Sequence, residues 1–178
     1  MRTWLGESVE RTEALPAVVC DAGPLIHLDE LGQLDLLLDF AYVLVPTSVR
    51  NEVIRHRPRA LAGDGGRLRH VVVEGDVPSP LSALARSLAL GPGECEAIHL
   101  AIRQPGLILL TDDAAARLAA EALQIRVHGS IGVLVRAARM GRRTRDQVIA
   151  TLESLGERSS LHVRPALISE VVRSIRSL

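Results

Sequence analysis

The chain of 178 residues contains no lysine, so that all 21 of its basic residues are arginine. The absence of lysine excludes a P-loop nucleotide-binding site, which needs that side chain to reach the phosphates. Aromatic residues make up only 2% of the sequence, which argues against an RNA-binding surface built from a row of stacking rings. The two cysteines, Cys20 and Cys95, are too few for a disulfide framework or a zinc-binding set.

Long apolar runs and an apolar leader are also missing. No run approaches the ~18 residues that a membrane helix needs, and charged side chains occupy the N-terminal segment. We therefore expect a soluble, cytoplasmic protein without a membrane partner. With 47% apolar residues, the chain can form a polar lead over residues 1–16 and a single domain over residues 17–178.

The arginines are unevenly distributed, although the formal net charge is zero. Since a guanidinium group matches the geometry of phosphate oxygens, members of the two densest clusters are candidate RNA contacts. These candidates are Arg50, Arg55, Arg57, Arg139, Arg142, Arg143 and Arg145. The alternative is a compositional bias that places arginine on solvated helix faces.

Short apolar segments alternate with helical patterns along the domain. The strands are predicted at 17–20, 42–45, 70–73, 107–110 and 125–127, and helices separate them and continue to the C-terminus. Gly32 is predicted to divide the helical segment 25–40, and Thr47 to cap the helix that follows. This alternation predicts an α/β fold with three layers, in which helices cover both faces of a central parallel sheet of about five strands.

Acidic residues recur where the predicted elements begin or end, at Asp21, Glu52, Glu96 and the pair Asp112-Asp113. Each has an ordinary explanation when taken alone, such as a helix N-cap or an exposed ion pair. Together they point to the carboxyl edge of the sheet, where α/β proteins bind ligands. Glu94 is expected to be a solvated neighbour of Glu96, because residues two apart face different sides of a helix.

Carboxylates gathered at one edge repel one another unless a cation lies between them. A single like-charge pair at ~4 Å costs about 4 kcal/mol at an effective dielectric constant of 20. Carboxylate oxygens are the ligands that Mg²⁺ and Mn²⁺ prefer. The sequence therefore predicts a metal site, with Mg²⁺ or Mn²⁺ as the cofactor.

Four segments, in this order and at this spacing, resemble the PIN domain, and more narrowly the prokaryotic PIN proteins with a GExEA segment and a paired Asp. They are Val18-Val-Cys-Asp21-Ala-Gly-Pro, Val45-Pro-x-x-Val49-x-x-Glu52-Val, Gly93-Glu-Cys-Glu96-Ala-Ile and Leu109-Leu-Thr-Asp112-Asp113-x-x-x-Arg117. A helix beginning Gly129-Ser-Ile-Gly132-Val-Leu134 follows them, as it does in that group. The resemblance covers residues from about 17 to 160.

The resemblance implies a PIN-like fold and a metal-dependent endoribonuclease of the VapC toxin type, which leaves 5′-phosphate and 3′-hydroxyl ends. It maps the catalytic acids onto Asp21, Glu52, Glu96 and Asp113, and the metal ligands onto Asp21, Glu96 and Asp113, with Asp112 as a contender. A Glu in the third position departs from the commoner Asp, and its longer reach puts the position of the metal in doubt. The implied partners are an RNA substrate and a small antitoxin, while a homodimer stays open.

Two alternatives remain. A PIN scaffold that binds RNA or a protein without turnover would carry the same acids. A response-regulator-like signalling domain also gathers carboxylates at a sheet edge, but it needs a lysine near them, and this chain has none.

Overall fold

The computed structural model of the protein describes residues 15–62 and 66–177. Residues 1–14 of the predicted polar lead lie outside these ranges. Among the described residues, no helix combines the length and the apolar character needed to cross a bilayer.

The centre of the fold is a sheet of five parallel strands in the order β3-β2-β1-β4-β5. The strands are β1 (Val18–Cys20), β2 (Val43–Pro46), β3 (Leu68–Val71), β4 (Ile108–Leu110) and β5 (Val127–His128). Because β2 and β4 flank β1 on opposite sides, the direction of winding reverses between β1 and β4. Such a reversal opens a crevice at the carboxyl ends of the two strands. Cys20 pairs with Leu110 in this register, so the residues that follow them lie side by side.

Nine α-helices surround the sheet within the described residues. They are α1 (Ala22–Glu30), α2 (Thr47–His56), α3 (Ser79–Leu88), α4 (Pro92–Arg103), α5 (Ala114–Ala122), α6 (Ser130–Arg139), α7 (Arg145–Glu153), α8 (Leu155–Arg158) and α9 (Pro165–Arg176). Two 3₁₀ helices, Leu34–Asp39 and Pro58–Leu61, complete the connections.

Successive strand residues contribute to different halves of the core, because side chains alternate across a pleated strand. Val18 and Cys20 pack with α1, α2 and α6, whereas Val19 packs with α3, α4 and α5. All three side chains are completely buried. The predicted three-layer α/β fold with a five-stranded parallel sheet is therefore confirmed.

Three local predictions need comment. Gly32 does end α1, in a left-handed conformation with φ of 67° that favours glycine. The third strand begins two residues earlier than predicted, at Leu68. Thr47 is not a cap: it is the first residue of α2, and its hydroxyl contacts the His70 ring and the Val71 carbonyl on β3.

Candidate functional site

Asp21 lies at the bottom of the crevice between β1 and β4, with only 5% of its surface exposed. Its Oδ1 accepts a hydrogen bond from the Ala22 N–H at 2.8 Å, as expected for the N-cap of α1. Its Oδ2 accepts from the Thr111 hydroxyl at 2.9 Å, across the junction of the two strands. The side chain therefore caps a helix and faces the crevice at the same time.

Thr111 connects Asp21 to the acidic pair that follows β4. The same Thr111 Oγ1 that donates to Asp21 accepts from the Asp113 N–H at 3.2 Å. Asp113 itself is exposed, and its Oδ1 caps α5 by accepting from the Ala116 N–H at 2.7 Å. A buried and an exposed carboxylate thus lie on either side of one buried hydroxyl.

Gly93 allows a third carboxylate to approach. A Cβ at this position of α4 would lie 3.7 Å from Asp21 Oδ1 and 3.7 Å from Glu52 Oε2. These two oxygens are therefore separated by no more than twice that distance. Because glycine has no side chain, the space between Asp21 and the half-buried Glu52 of α2 stays open.

Glu94 is the fourth member of the cluster, and the prediction that it is only a solvated neighbour was wrong. It is half-buried, and it interacts electrostatically with Asp21, Glu52 and Asp113. Burial raises the pKa of Glu94, a hydrogen bond from the Gly91 N–H opposes this effect, and the charges of Asp113 and Glu52 add to it. We call Asp21, Glu52, Glu94 and Asp113 the acidic cluster.

Glu96 lies one helical turn beyond Gly93, where both of its carboxylate oxygens bind Ser48. Its Oε2 accepts from the Ser48 N–H at 2.8 Å and its Oε1 from the Ser48 hydroxyl at 2.7 Å. These bonds supply the cap that α2 lacks at its own N-terminus, since Pro46 offers no side-chain hydrogen bond. Glu52 follows one turn later on the same face of α2. Glu96 as a ligand stays a prediction, and in this conformation it anchors α2 instead.

Both oxygens of Asp112 are bound by residues outside the acidic cluster. Its Oδ1 accepts from the Ser130 N–H at 2.7 Å, and its Oδ2 contacts the Ser130 hydroxyl at 2.6 Å and His27 Nδ1 at 2.8 Å. Of the acidic pair, Asp113 is the one whose charge acts on the cluster. The sequence did not reveal that Ser130 and His27 bind Asp112, because they lie 18 and 85 positions away from it.

The electrostatics of the crevice are dominated by desolvation. Burial raises the pKa of Asp21 from its ordinary 3.8 to about 7; the hydrogen bonds from Ala22 and Thr111 act against this, and the charges of Glu94 and Glu52 raise it further. The charged form of Asp21 is thus costly in the folded protein.

The acidic cluster fits a divalent cation by its chemistry. All four members offer carboxylate oxygens, the donors that Mg²⁺ and Mn²⁺ accept, and Gly93 leaves the space between two of them free. Within residues 15–62 and 66–177, no three acidic, histidine or cysteine side chains converge closely enough to enclose an ion as they stand. Glu94 accepts the hydrogen bond from the Gly91 N–H through Oε2 alone.

The candidate RNA-binding arginines fall into two groups. Three have carboxylate partners: Arg57 pairs with Asp29, Arg142 with Asp39 at 2.7 Å, and Arg143 with Asp35 at 2.7 Å. The other four, Arg50, Arg55, Arg139 and Arg145, are exposed. Only this second group has guanidinium groups that are not already paired with a carboxylate in the described part of the chain.

Comparison with known proteins agrees with the fold. A family model described as PIN domain matches residues 17–177, which is nearly the whole chain. A search of curated proteins finds no match. The family match spans all five strands and every member of the acidic cluster, and the chain therefore belongs to the PIN domain family.

Proposed function

We propose that this protein is a divalent-metal-dependent endoribonuclease whose active site is the acidic cluster. PIN domains are typically metal-dependent nucleases. The observation that carries the proposal is the position of the buried Asp21 carboxylate in the crevice, where a Cβ at Gly93 would lie 3.7 Å from its Oδ1 and 3.7 Å from Glu52 Oε2. Retaining such a group costs stability, which is typical of sites that have been shaped for binding or catalysis.

Asp21, Glu94 and Asp113 are the proposed ligands, and Glu52 completes the cluster or orients water. A bound Mg²⁺ or Mn²⁺ would supply a lowered pKa for water and would neutralise charge on the phosphodiester as it is cleaved. Thr111 holds Asp21 and the backbone of Asp113 together, so that the two carboxylates keep their relative position. Glu96 keeps Glu52 in place through Ser48 at the start of α2.

We further propose RNA as the substrate, cleaved to 5′-phosphate and 3′-hydroxyl ends, and a toxin–antitoxin pair as the biological setting. The support for this setting is the resemblance of the four sequence segments to VapC-type toxins. We expect an adjacent reading frame to encode a small DNA-binding or antitoxin-like protein. This protein should form a complex with the nuclease and block cleavage. A gene neighbourhood without any such frame would contradict the toxin assignment but not the nuclease.

Incubation of purified protein with a fluorogenic single-stranded RNA tests the activity itself. We expect cleavage in Mg²⁺ or Mn²⁺ and no cleavage in EDTA. For Asp21→Asn the cleavage rate should fall at least 100-fold, the order of magnitude that corresponds to several kcal/mol of lost transition-state stabilisation. The matched control is Asp146→Asn, an exposed acid in the first turn of α7. Parental cleavage by Asp21→Asn would contradict the assignment, and RNA binding without cleavage would favour the catalytically silent scaffold.

A further inference from the structure

A pocket of about 420 Å³ lies beside Asp112, the residue that precedes Asp113 of the acidic cluster. Its walls are the start of α5, the segment that leads into α6, and residues 161–164 before α9. Asp112 lines this pocket, while the adjacent residue Asp113 belongs to the acidic cluster. Adjacent residues therefore belong to the pocket and to the cluster, and their Cα atoms are only about 3.8 Å apart.

The lining of this pocket is cationic. Its positive charges come from Arg117 and Arg164, and the rings of His128 and His162 lie beside them. Among its described lining residues the only acid is Asp112, which is bound by His27 and by Ser130. Neither arginine forms an ion pair with Asp112 or with another carboxylate of the described residues.

The two arginines are available for a ligand. Arg117 is half-buried, and its single hydrogen bond among the described residues is a 3.3 Å contact from its NH2 to the carbonyl oxygen of Thr111. Arg164 is exposed at the N-cap of α9 and makes no ion pair within the described ranges. This distinguishes them from Arg57 and Arg143, which are held by aspartates.

His128 lies close to several arginines. Burial lowers its pKa, and the charges of Arg117, Arg126 and Arg136 lower it further. Of these three arginines, Arg117 also lines the pocket. His162 adds a ring whose Nδ1 lies 2.9 Å from the Ser160 carbonyl, which leaves its Nε2 without a partner among the described residues.

We infer that this pocket binds a backbone phosphate of the RNA strand next to the scissile one, through the guanidinium groups of Arg117 and Arg164. The inference rests on the proposed ribonuclease function and names a substrate subsite for it. Guanidinium groups recognise phosphate oxygens through paired, charge-assisted hydrogen bonds. In this arrangement the acidic cluster holds the metal, and the pocket with Arg117 and Arg164 positions the RNA strand.

Binding of a fluorescein-labelled single-stranded RNA 12-mer, measured by anisotropy in EDTA, tests the inference without any cleavage. We expect Arg164→Gln and Arg117→Gln each to raise Kd by about tenfold, the loss typical of one hydrogen-bonded contact to a charged group. The slope of log Kobs against log salt concentration should become less negative by about 0.7 for each lost phosphate contact. Arg164→Lys should restore most of the slope, since it restores the charge.

Arg86→Gln is the matched control, because Arg86 is also an exposed helical arginine and its guanidinium contacts only Ser82 on its own helix. Its Kd and slope should equal those of the parent. Thermal melting of each variant separates lost contacts from lost folding, and Arg164, exposed at a helix end, keeps the test valid if Arg117→Gln unfolds.

Two results would overturn the inference: parental Kd and salt slope for Arg164→Gln, or no RNA binding by the parent in EDTA. Cleavage in Mg²⁺ with unchanged binding by the arginine variants would reject this subsite and leave the nuclease intact. Weakened binding by the variants of a protein that never cleaves RNA would support the subsite and reject the nuclease.

Discussion

Replacement of Asp21 by Asn gives the sharpest expectation, because it removes one buried charge and little else. An Asn carbonyl oxygen can still accept from the Ala22 N–H, and its amide can donate to Thr111 Oγ1 in place of the bond that Asp21 now accepts. The side chain keeps its size and its capping geometry. Any change in stability therefore reports mainly on the charge.

The magnitude follows from the raised pKa of Asp21, from 3.8 to about 7, for which burial is the main cause. At ~1.36 kcal/mol per pKa unit, the ionised side chain costs the metal-free protein roughly 4 kcal/mol. Below about pH 4 this carboxyl is protonated in both the folded and the unfolded state and costs nothing. Between about pH 4 and pH 7 only the unfolded state ionises, so the stability of the parent falls as pH rises through this range.

Urea unfolding in EDTA at pH 5 and pH 8 measures this effect. At pH 8, we expect the free energy of unfolding of Asp21→Asn to equal that of the parent or to exceed it by up to roughly 4 kcal/mol. Between pH 5 and pH 8, the variant should lose less stability than the parent. Asp146→Asn, which changes an exposed acid, should follow the parent. A variant that is clearly less stable than the parent at pH 8 would show that the charge of Asp21 stabilises the folded protein, and it would refute this reasoning.

Four further variants separate the roles of individual residues. Gly93→Ala places a methyl group 3.7 Å from two carboxylate oxygens and 3.3 Å from Val49 Cγ2. We expect the Mn²⁺ affinity, measured by calorimetry, to fall about tenfold, and the stability, measured by urea unfolding, to change by less than ~1 kcal/mol. Glu94→Gln should abolish most Mn²⁺ binding. Glu96→Gln should weaken Mn²⁺ binding less, but it should cost about 1–2 kcal/mol of stability because the bonds to Ser48 are lost. If Glu96→Gln weakened Mn²⁺ binding more than Glu94→Gln, Glu96 would be the ligand. Arg143→Gln should leave the salt dependence of RNA binding unchanged, since Asp35 already neutralises that guanidinium, and a shallower slope would contradict this.

The sheet and its edge could be predicted because the signals are local. Each strand is a short apolar run, and the alternation of strands with helices predicts a parallel sheet. Asp21 and the pair 112–113 directly follow strands, so their position at the carboxyl edge comes from chain connectivity alone. Their meeting across Thr111 then depends only on β1 and β4 being neighbours.

The choice between Glu94 and Glu96 could not be made from the sequence. Both lie near the start of α4, and helical periodicity only states that they face different directions. Which of them faces Asp21 depends on how α4 packs against α2, and Ser48 provides a partner for Glu96 that no local pattern reveals. The hint that was available is Gly93, since a glycine inside a helix often marks a close approach.

The arginines show the same limit for ion pairs. Composition marked clusters of positive charge, but the aspartates that bind several of them are distant in sequence, as Asp35 is from Arg143 by 108 positions. Arg117 and Arg164 belong to neither dense cluster, yet they line one pocket with Asp112 in the folded chain. Tertiary contacts, rather than density along the sequence, decide which guanidinium groups are left for RNA.

Titration of the metal-free protein with Mn²⁺ by isothermal calorimetry tests most directly whether the acidic cluster is a metal centre. We expect saturable binding to the parent, and binding reduced at least tenfold for Asp21→Asn, since one ligand charge is lost. Equal Mn²⁺ affinity for parent and variant, or no binding by the parent at millimolar Mn²⁺, would contradict the account.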